Sequence, residues 1–198
     1  MMAHWIKFLL FGLLCAAWLG QSRLQAQQIA SFTLPNLQGQ EVSLSDYQQQ
    51  KAVVLVFLSA NCPFVDSYEA RIRALYQTYH DQGIAFLAIN SNDSMVSPPD
   101  GTARLAQSAG LPFPYLKDAN QQVTRALGAT KNPQVFVLVP QNGHFQLVYQ
   151  GAIDNFPLDA SQAQHHYLRD ALQAVHDGHP VPLTKTPAQG CSIRWANR

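Results

Sequence analysis

The stretch Ala52–Val65, AVVLVFLSANCPFV, decides how the rest of the chain is read. Its first half, Ala52–Leu58, is an unbroken apolar run rich in β-branched side chains. A run with no polar alternation suits a strand covered on both faces of a sheet. Beyond Ser59-Ala60-Asn61 the pattern changes: Val65, Tyr68, Ile72, Leu75, Tyr76 and Tyr79 recur at three- and four-residue steps, the single apolar stripe of a helix. Pro63 suits the first helical position, where its missing N–H costs nothing. Cys62 therefore falls at the helix N-terminus, where free N–H groups and the helix dipole stabilise an anion. The thiolate is the nucleophile of thiol chemistry, and this placement lowers a cysteine pKa. Asp66, one turn along, pushes the other way.

Outward from that stretch, Ile84–Ile89 (IAFLAI) and Val135–Val139 (VFVLV) repeat the buried-strand signature, and Gly83 is a stop for the helix. Strand, helix, strand at this spacing is a βαβ unit with a right-handed crossover. Val135–Val139 and Phe145–Tyr149 flank Gln141-Asn142-Gly143, a hairpin signal. A last amphipathic helix carries Tyr167, Leu168, Ala171, Leu172 and Val175, ended by Gly178. Ala30–Leu34 and Glu41–Leu44 read as short strands around an Asn36–Gly39 turn. The middle holds the loop Ser97-Pro98-Pro99-Asp100-Gly101, a helix near Thr102–Ser108, an extended piece between Pro112 and Pro114, and a helix over Gln121–Leu127. From His179 onward the chain is polar and proline-broken, and it closes on Gly190-Cys191-Ser192-Ile193-Arg194-Trp195. The order is β-α-β, a variable middle, then β-β-α: an α/β class with a central mixed sheet flanked by helices.

Residues 1–26 stand apart. Lys7 supplies a positive start, Phe8–Leu19 an apolar run, and Ala26 a small-residue exit, the layout of a secretory signal. The run is short of the ~20 residues that span a bilayer. Cys15 lies inside it and leaves with it. Residues 27–198 then form one domain with a tail over 179–198, and 47% hydrophobic content over the chain supplies a core. Loss of Lys7 and Arg23 leaves that domain near neutrality, which excludes attraction to a nucleic-acid backbone or, after signal cleavage, to an anionic membrane. The sequence expects an exported protein, periplasmic or secreted.

Two cysteines remain, Cys62 and Cys191. An even pair in an exported protein can form a disulfide, although a domain of this size does not need one to fold. Three states stay open: a redox bond in which Cys191 resolves Cys62, a permanent staple for the tail worth at most roughly 5 kcal/mol, or two free thiols. His165, His166, His176 and His179 lie on or after the last helix with no cysteine or carboxylate at ligand spacing, so they read as a solvated face rather than a metal site.

VVLVFLSANCPFV and the helix after it resemble the thioredoxin-fold motif in which a strand runs into an active-site cysteine. Lys131-Asn132-Pro133-Gln134-Val135-Phe136 resembles the loop whose proline, usually cis, faces that cysteine. With Asn90-Ser91-Asn92-Asp93, Phe113-Pro114-Tyr115-Leu116-Lys117-Asp118, Gly151-Ala152-Ile153-Asp154 and the terminal GCSIRW, the chain is similar over residues 28–198 to the peroxiredoxin-like (AhpC/TSA-related redoxin) branch of the thioredoxin-fold superfamily. The resemblance implies a thioredoxin-like fold and thiol-based oxidoreductase chemistry. Cys62 would be the redox nucleophile, Cys191 its resolving partner and Ser59 an assisting hydroxyl, with Asn61, Pro63, Asn132 and Pro133 lining the substrate site. It implies a disulfide or hydroperoxide substrate, a thiol reductant protein as partner, and neither cofactor nor metal.

The departures are equally specific. Val65 stands where a thioredoxin has its second cysteine, which excludes exchange within a CxxC. Leu55 and Pro133 stand where a peroxiredoxin has its proline and arginine, and without the arginine a peroxide relay loses the charge that stabilises its transition state. Two rival expectations follow: a binding module with a structural Cys62–Cys191 bond, or a metal carrier using Cys62 with a histidine.

Overall fold

A computed structural model of the chain describes residues 27–102 and 110–196. The expected leader over 1–26 and the helix expected near Thr102–Ser108 lie outside the described residues. Ten strands are present among them: β1 (Gln28–Ile29), β2 (Thr33–Pro35), β3 (Glu41–Ser43), β4 (Ala52–Phe57), β5 (Ile84–Asn90), β6 (Tyr115–Lys117), β7 (Lys131–Asn132), β8 (Gln134–Gln141), β9 (His144–Gly151) and β10 (Cys191–Ser192). Three helices accompany them: α1 (Pro63–Tyr79), α2 (Gln122–Leu127) and α3 (Tyr167–His176).

The main sheet runs β1-β9-β8-β4-β5-β6. Strands β4, β5 and β6 are parallel neighbours, whereas β4–β8, β8–β9 and β1–β9 are antiparallel. It is the mixed sheet that the thioredoxin-like resemblance implies. Every residue of β4 is buried, as the absence of a polar face in Ala52–Leu58 requires. Alternation along the strand then assigns its side chains to two cores. Val54 and Val56 pack with Tyr68 and Ile72 of α1 and Leu168 and Leu172 of α3. Val53, Leu55 and Phe57 face the other way, against Leu34, Val123 of α2 and, from the tail, Ile193.

The local signals act as expected. Asn142 and Gly143 have φ of 51° and 80°, the left-handed pair that a two-residue hairpin turn demands. Helix α1 runs into a single 3-10 turn and stops at Gly83, φ 85°. Two readings shift. The extended piece placed between Pro112 and Pro114 is strand β6, beginning at Tyr115, because pairing with Ala88–Asn90 fixes it there. The loop at Pro98–Asp100 winds into a 3-10 turn.

An ion pair between partly buried Arg71 and buried Asp154 ties α1 to the segment after β9. Arg71 Nη1 lies 2.6 Å from Asp154 Oδ2, and the Tyr68 hydroxyl donates to Asp154 Oδ1 at 2.9 Å. Arg71 also donates to the Phe156 and Pro157 carbonyls. Removing one member of such a pair strands the other in a poorly solvated place. Asp154→Ala is expected to cost about 3–5 kcal/mol, read as a fall in the urea midpoint at unchanged slope.

Candidate redox site

Cys62 caps the N-terminus of α1 in an extended conformation, with Pro63 as the first helical residue. Its carbonyl accepts the Val65 and Asp66 N–H groups. The side chain is 1% exposed and is joined to Cys191 by a disulfide, with Cα atoms 6.0 Å apart across 129 positions of sequence. Cys191 is only partly buried. Of the three states left open by the sequence, the structure holds a bond, which is common to the redox and the staple reading and sets aside two free thiols.

Two opposing influences meet at the Cys62 sulfur. The helix end favours a thiolate. The Asn132 carbonyl oxygen, 3.1 Å from Sγ, favours the protonated thiol that could donate to it once the bond is reduced. That oxygen belongs to the Asn132–Pro133 peptide, which is cis. Asn132 and Pro133 are both buried, and β7 carries Asn132 to the cysteine.

The tail is seated on the same loop. Strand β10 pairs antiparallel with β7, Cys191 opposite Asn132 and Ser192 opposite Lys131. Gly190 comes so close that a Cβ there would collide with the Asn132 carbonyl and lie 2.9 Å from Pro133 N. Only a residue without a side chain allows this approach. Below it, the Ile193 N–H donates to the Thr130 carbonyl at 3.0 Å and its side chain enters the core.

The expected site residues divide in two. Asn132 and Pro133 meet Cys62 and the tail, and Pro63 is exposed at the first turn of α1. Ser59 and Asn61 line a solvent-open groove together with Cys191, Ser192, Asn92 and Arg194. Ser59, 4% exposed, thus borders the groove onto which Cys191 opens. Among the described residues no cluster of three His, Cys, Asp or Glu could hold a metal ion.

Behind the groove lies a polar cluster of which the sequence marks the Asn90–Asp93 run, as a lining of the Cys62 pocket, but not Asp100. Asp100, 1% exposed, accepts from Ala60 N and Asn90 Nδ2 at 2.7 Å each, Asn92 Nδ2 at 2.9 Å and Ser97 Oγ at 2.6 Å. Lys117 Nζ donates to Asn90 Oδ1, the Asn92 carbonyl and the Asp100 carbonyl at 2.6–2.8 Å. Desolvation would raise the Asp100 carboxyl, but its four hydrogen bonds outweigh it and hold the group below its ordinary value. Burial pushes Lys117 down, against the pull of Asp100, Asp93 and Asp118. The signal available was the polar run Asn90–Asp93 at the end of a parallel strand, where such sheets place ligands; nothing in SPPDG marks Asp100 as buried.

A disulfide between a helix-end cysteine and a strand laid on the facing proline loop defines a thiol–disulfide protein of thioredoxin-like fold. The chain belongs to the AhpC/TSA family, which matches residues 26–155, and its function is that of a thiol-based oxidoreductase. It is similar to the thiol-disulfide oxidoreductase ResA of Geobacillus thermodenitrificans, 31% identical over 122 residues, 62% of this chain and 67% of that protein. Among solved structures, a hypothetical protein from Sinorhizobium meliloti 1021 superposes with TM-score 0.79 at 33% identity, covering 87% of this chain and 95% of that one. An uncharacterized conserved protein from Geobacillus kaustophilus gives the same TM-score and identity over 87% and 93%. The family match ends before α3, so Cys191 lies outside it.

Two outcomes follow. Gly190→Ala is expected to lift β10 from β7 and speed reduction of the bond by dithiothreitol, timed by thiol trapping. Because the folded Asp100 carboxyl lies below its unfolded value of about 3.9, its stabilisation is full above that value and drains as pH falls through the folded one. Asp100→Asn should flatten the acid limb of a stability–pH curve.

Proposed function

We propose that the protein is an exported thiol–disulfide oxidoreductase whose working bond is Cys62–Cys191. The observation that carries the reading is the placement of the bond: a buried sulfur at a helix end linked to a partly exposed sulfur that opens on a groove. A staple for the tail would be served by Ile193 and the β10–β7 pair without sulfur chemistry. Export is supported by the signal-like order of residues 1–26 and by a bond suited to an oxidising compartment. Residues 27–198 act as one redoxin domain.

In the reduced form the Cys62 thiolate attacks one sulfur of a substrate disulfide. A mixed disulfide forms and the other substrate sulfur leaves as a thiolate. Cys191 then attacks Cys62 Sγ, releases the second substrate thiolate and closes the Cys62–Cys191 bond. Two electrons have passed to the substrate. With a hydroperoxide the first step gives a Cys62 sulfenic acid and an alcohol, and Cys191 displaces the oxygen as water. Disulfides are the better-supported substrate, since Pro133 occupies the place of the arginine that peroxide chemistry would use. Substrate reaches Cys62 when β10 leaves the proline loop. Return to the reduced state begins at Cys191: the thiolate of a reductant protein attacks its sulfur and Cys62 departs as the thiolate. The reductant's second thiol then frees Cys191. Met95 and Val96, both exposed, lie on the segment that borders this groove and give the partner an apolar foothold.

Single variants separate the steps. Reduced Cys191→Ser mixed with a model disulfide should accumulate an adduct on Cys62, found by peptide mass. Cys62→Ser whose Cys191 has first been converted to its thionitrobenzoate mixed disulfide should take a thiol reductant's sulfur onto Cys191, with thionitrobenzoate released as the leaving thiolate. A wild-type bond that survives millimolar dithiol in the folded protein, with no adduct on either variant, would leave the structural staple as the correct reading.

A further inference from the structure

The two cysteines lie far apart in sequence, yet three of the segments that place them converge on one pair of side chains. Asp100 Oδ1 holds Ala60 N–H, two residues ahead of Cys62. Asn92 Oδ1 accepts from Arg194 N–H at 2.8 Å, three residues past Cys191. The same oxygen accepts from Asn132 Nδ2 at 3.3 Å, on the residue whose carbonyl touches Cys62 Sγ. Asn92 Nδ2 closes the set by donating to Asp100 Oδ2. Both side chains are buried, so these bonds are made in place of water and their loss would leave orphaned groups.

The neighbouring tail residues reinforce the arrangement. The Arg194 carbonyl accepts from Asp93 N–H and Gln121 Nε2, both at 2.9 Å, and Ala196 N–H reaches Gln121 Oε1. The Arg125 guanidinium lies 4.6 Å from the Trp195 ring centroid. Each of these contacts holds the tail, but only the Asn92–Asp100 pair also grips the segments on the Cys62 side.

We infer that Asn92 and Asp100 are positioning residues that hold Cys191 against Cys62 and so set the equilibrium of disulfide exchange. The inference rests on the redox reading of the bond. Closing a disulfide across a long loop is favoured in proportion to the effective concentration of one thiol at the other. A contact that orders both sides beforehand raises that concentration. Linkage makes the effect reciprocal: if Asn92 favours the bond, the bond strengthens the Asn92 contacts by the same factor.

The test is a thermodynamic square. The ratio of oxidised to reduced protein is measured at equilibrium with glutathione for wild type, Asn92→Ala, Asp100→Asn and the distant control Tyr79→Phe. Urea stability of the oxidised and reduced forms is measured for the same four. Asn92→Ala is expected to lower the exchange constant about tenfold, the scale of one buried hydrogen bond lost, and to destabilise the oxidised form more than the reduced by the matching factor. Asp100→Asn should move the constant in the same direction and provides the measurement if Asn92→Ala does not fold. Tyr79→Phe, which removes the hydrogen bond from the far end of α1 to Gln173 Oε1 at 3.1 Å, should lower both stabilities equally and leave the constant unmoved. A merely structural role gives Asn92→Ala the Tyr79→Phe pattern and overturns the inference while the redox reading stands. A wild-type bond that exchanges with neither glutathione nor dithiothreitol overturns both.

Discussion

Strand β4 has no face to give to water, and the rest of the molecule answers that constraint. Its two sets of alternating side chains need two covers, supplied by α1 and α3 on one side and by β2, α2 and Ile193 on the other. Because the strand is fixed on both faces, the loop that leaves it reaches α1 at one defined place, and Cys62 stands there. The same requirement reaches the far end of the chain. Ile193, 3% exposed, fills part of the second core, where burying a side chain of its size contributes roughly 1.5–3 kcal/mol. That anchor holds Cys191, two residues earlier, beside the proline loop. The core therefore reaches to within two residues of Cys191 as well as to the loop before Cys62.

The large elements were legible because their signals are local and repeated. A β-branched run, a three-and-four stripe and an Asn-Gly pair each declare one structure within a few residues, and β4, α1 and the β8–β9 hairpin appear where those signals lie. The resemblance implied the cis Asn132–Pro133 bond, for which the residues alone carried no signal. The two-residue strands β1, β7 and β10 were not legible, since two residues have no period. They exist through partners more than fifty positions away. Gly190 looked like any tail glycine until its backbone was seen against Asn132. Asp100 sat in a proline-rich stretch that reads as an exposed turn, and its burial is matched by four donors, Ser97 of its own loop and Ala60, Asn90 and Asn92 from earlier segments. Cysteine parity allowed the Cys62–Cys191 bond without requiring it.

The Cys62 sulfur stands between the N-terminus of α1 and the Asn132 carbonyl oxygen, 3.1 Å away. In a CxxC protein the partner sulfur is delivered by the first turn of the same helix. Here Val65 fills that place, and a strand from the tail brings the partner across the proline loop instead. The bond thus joins a sheltered sulfur to a more open one, with the polar cluster around Asn92 and Asp100 beneath them.

Considered as a length of polymer, the oxidised chain is a ring with two loose ends. The bond between residues 62 and 191 encloses α1, α2, α3 and the strands from β5 to β9, leaving β1–β4 and a few terminal residues outside. A pull applied between the two ends passes through the sulfur–sulfur link and bypasses everything in the ring, so the outer arm bears the strain first. A single nick within the ring leaves one covalent molecule. Reduction removes that shortcut, and the load then also reaches the helices and strands of the former ring.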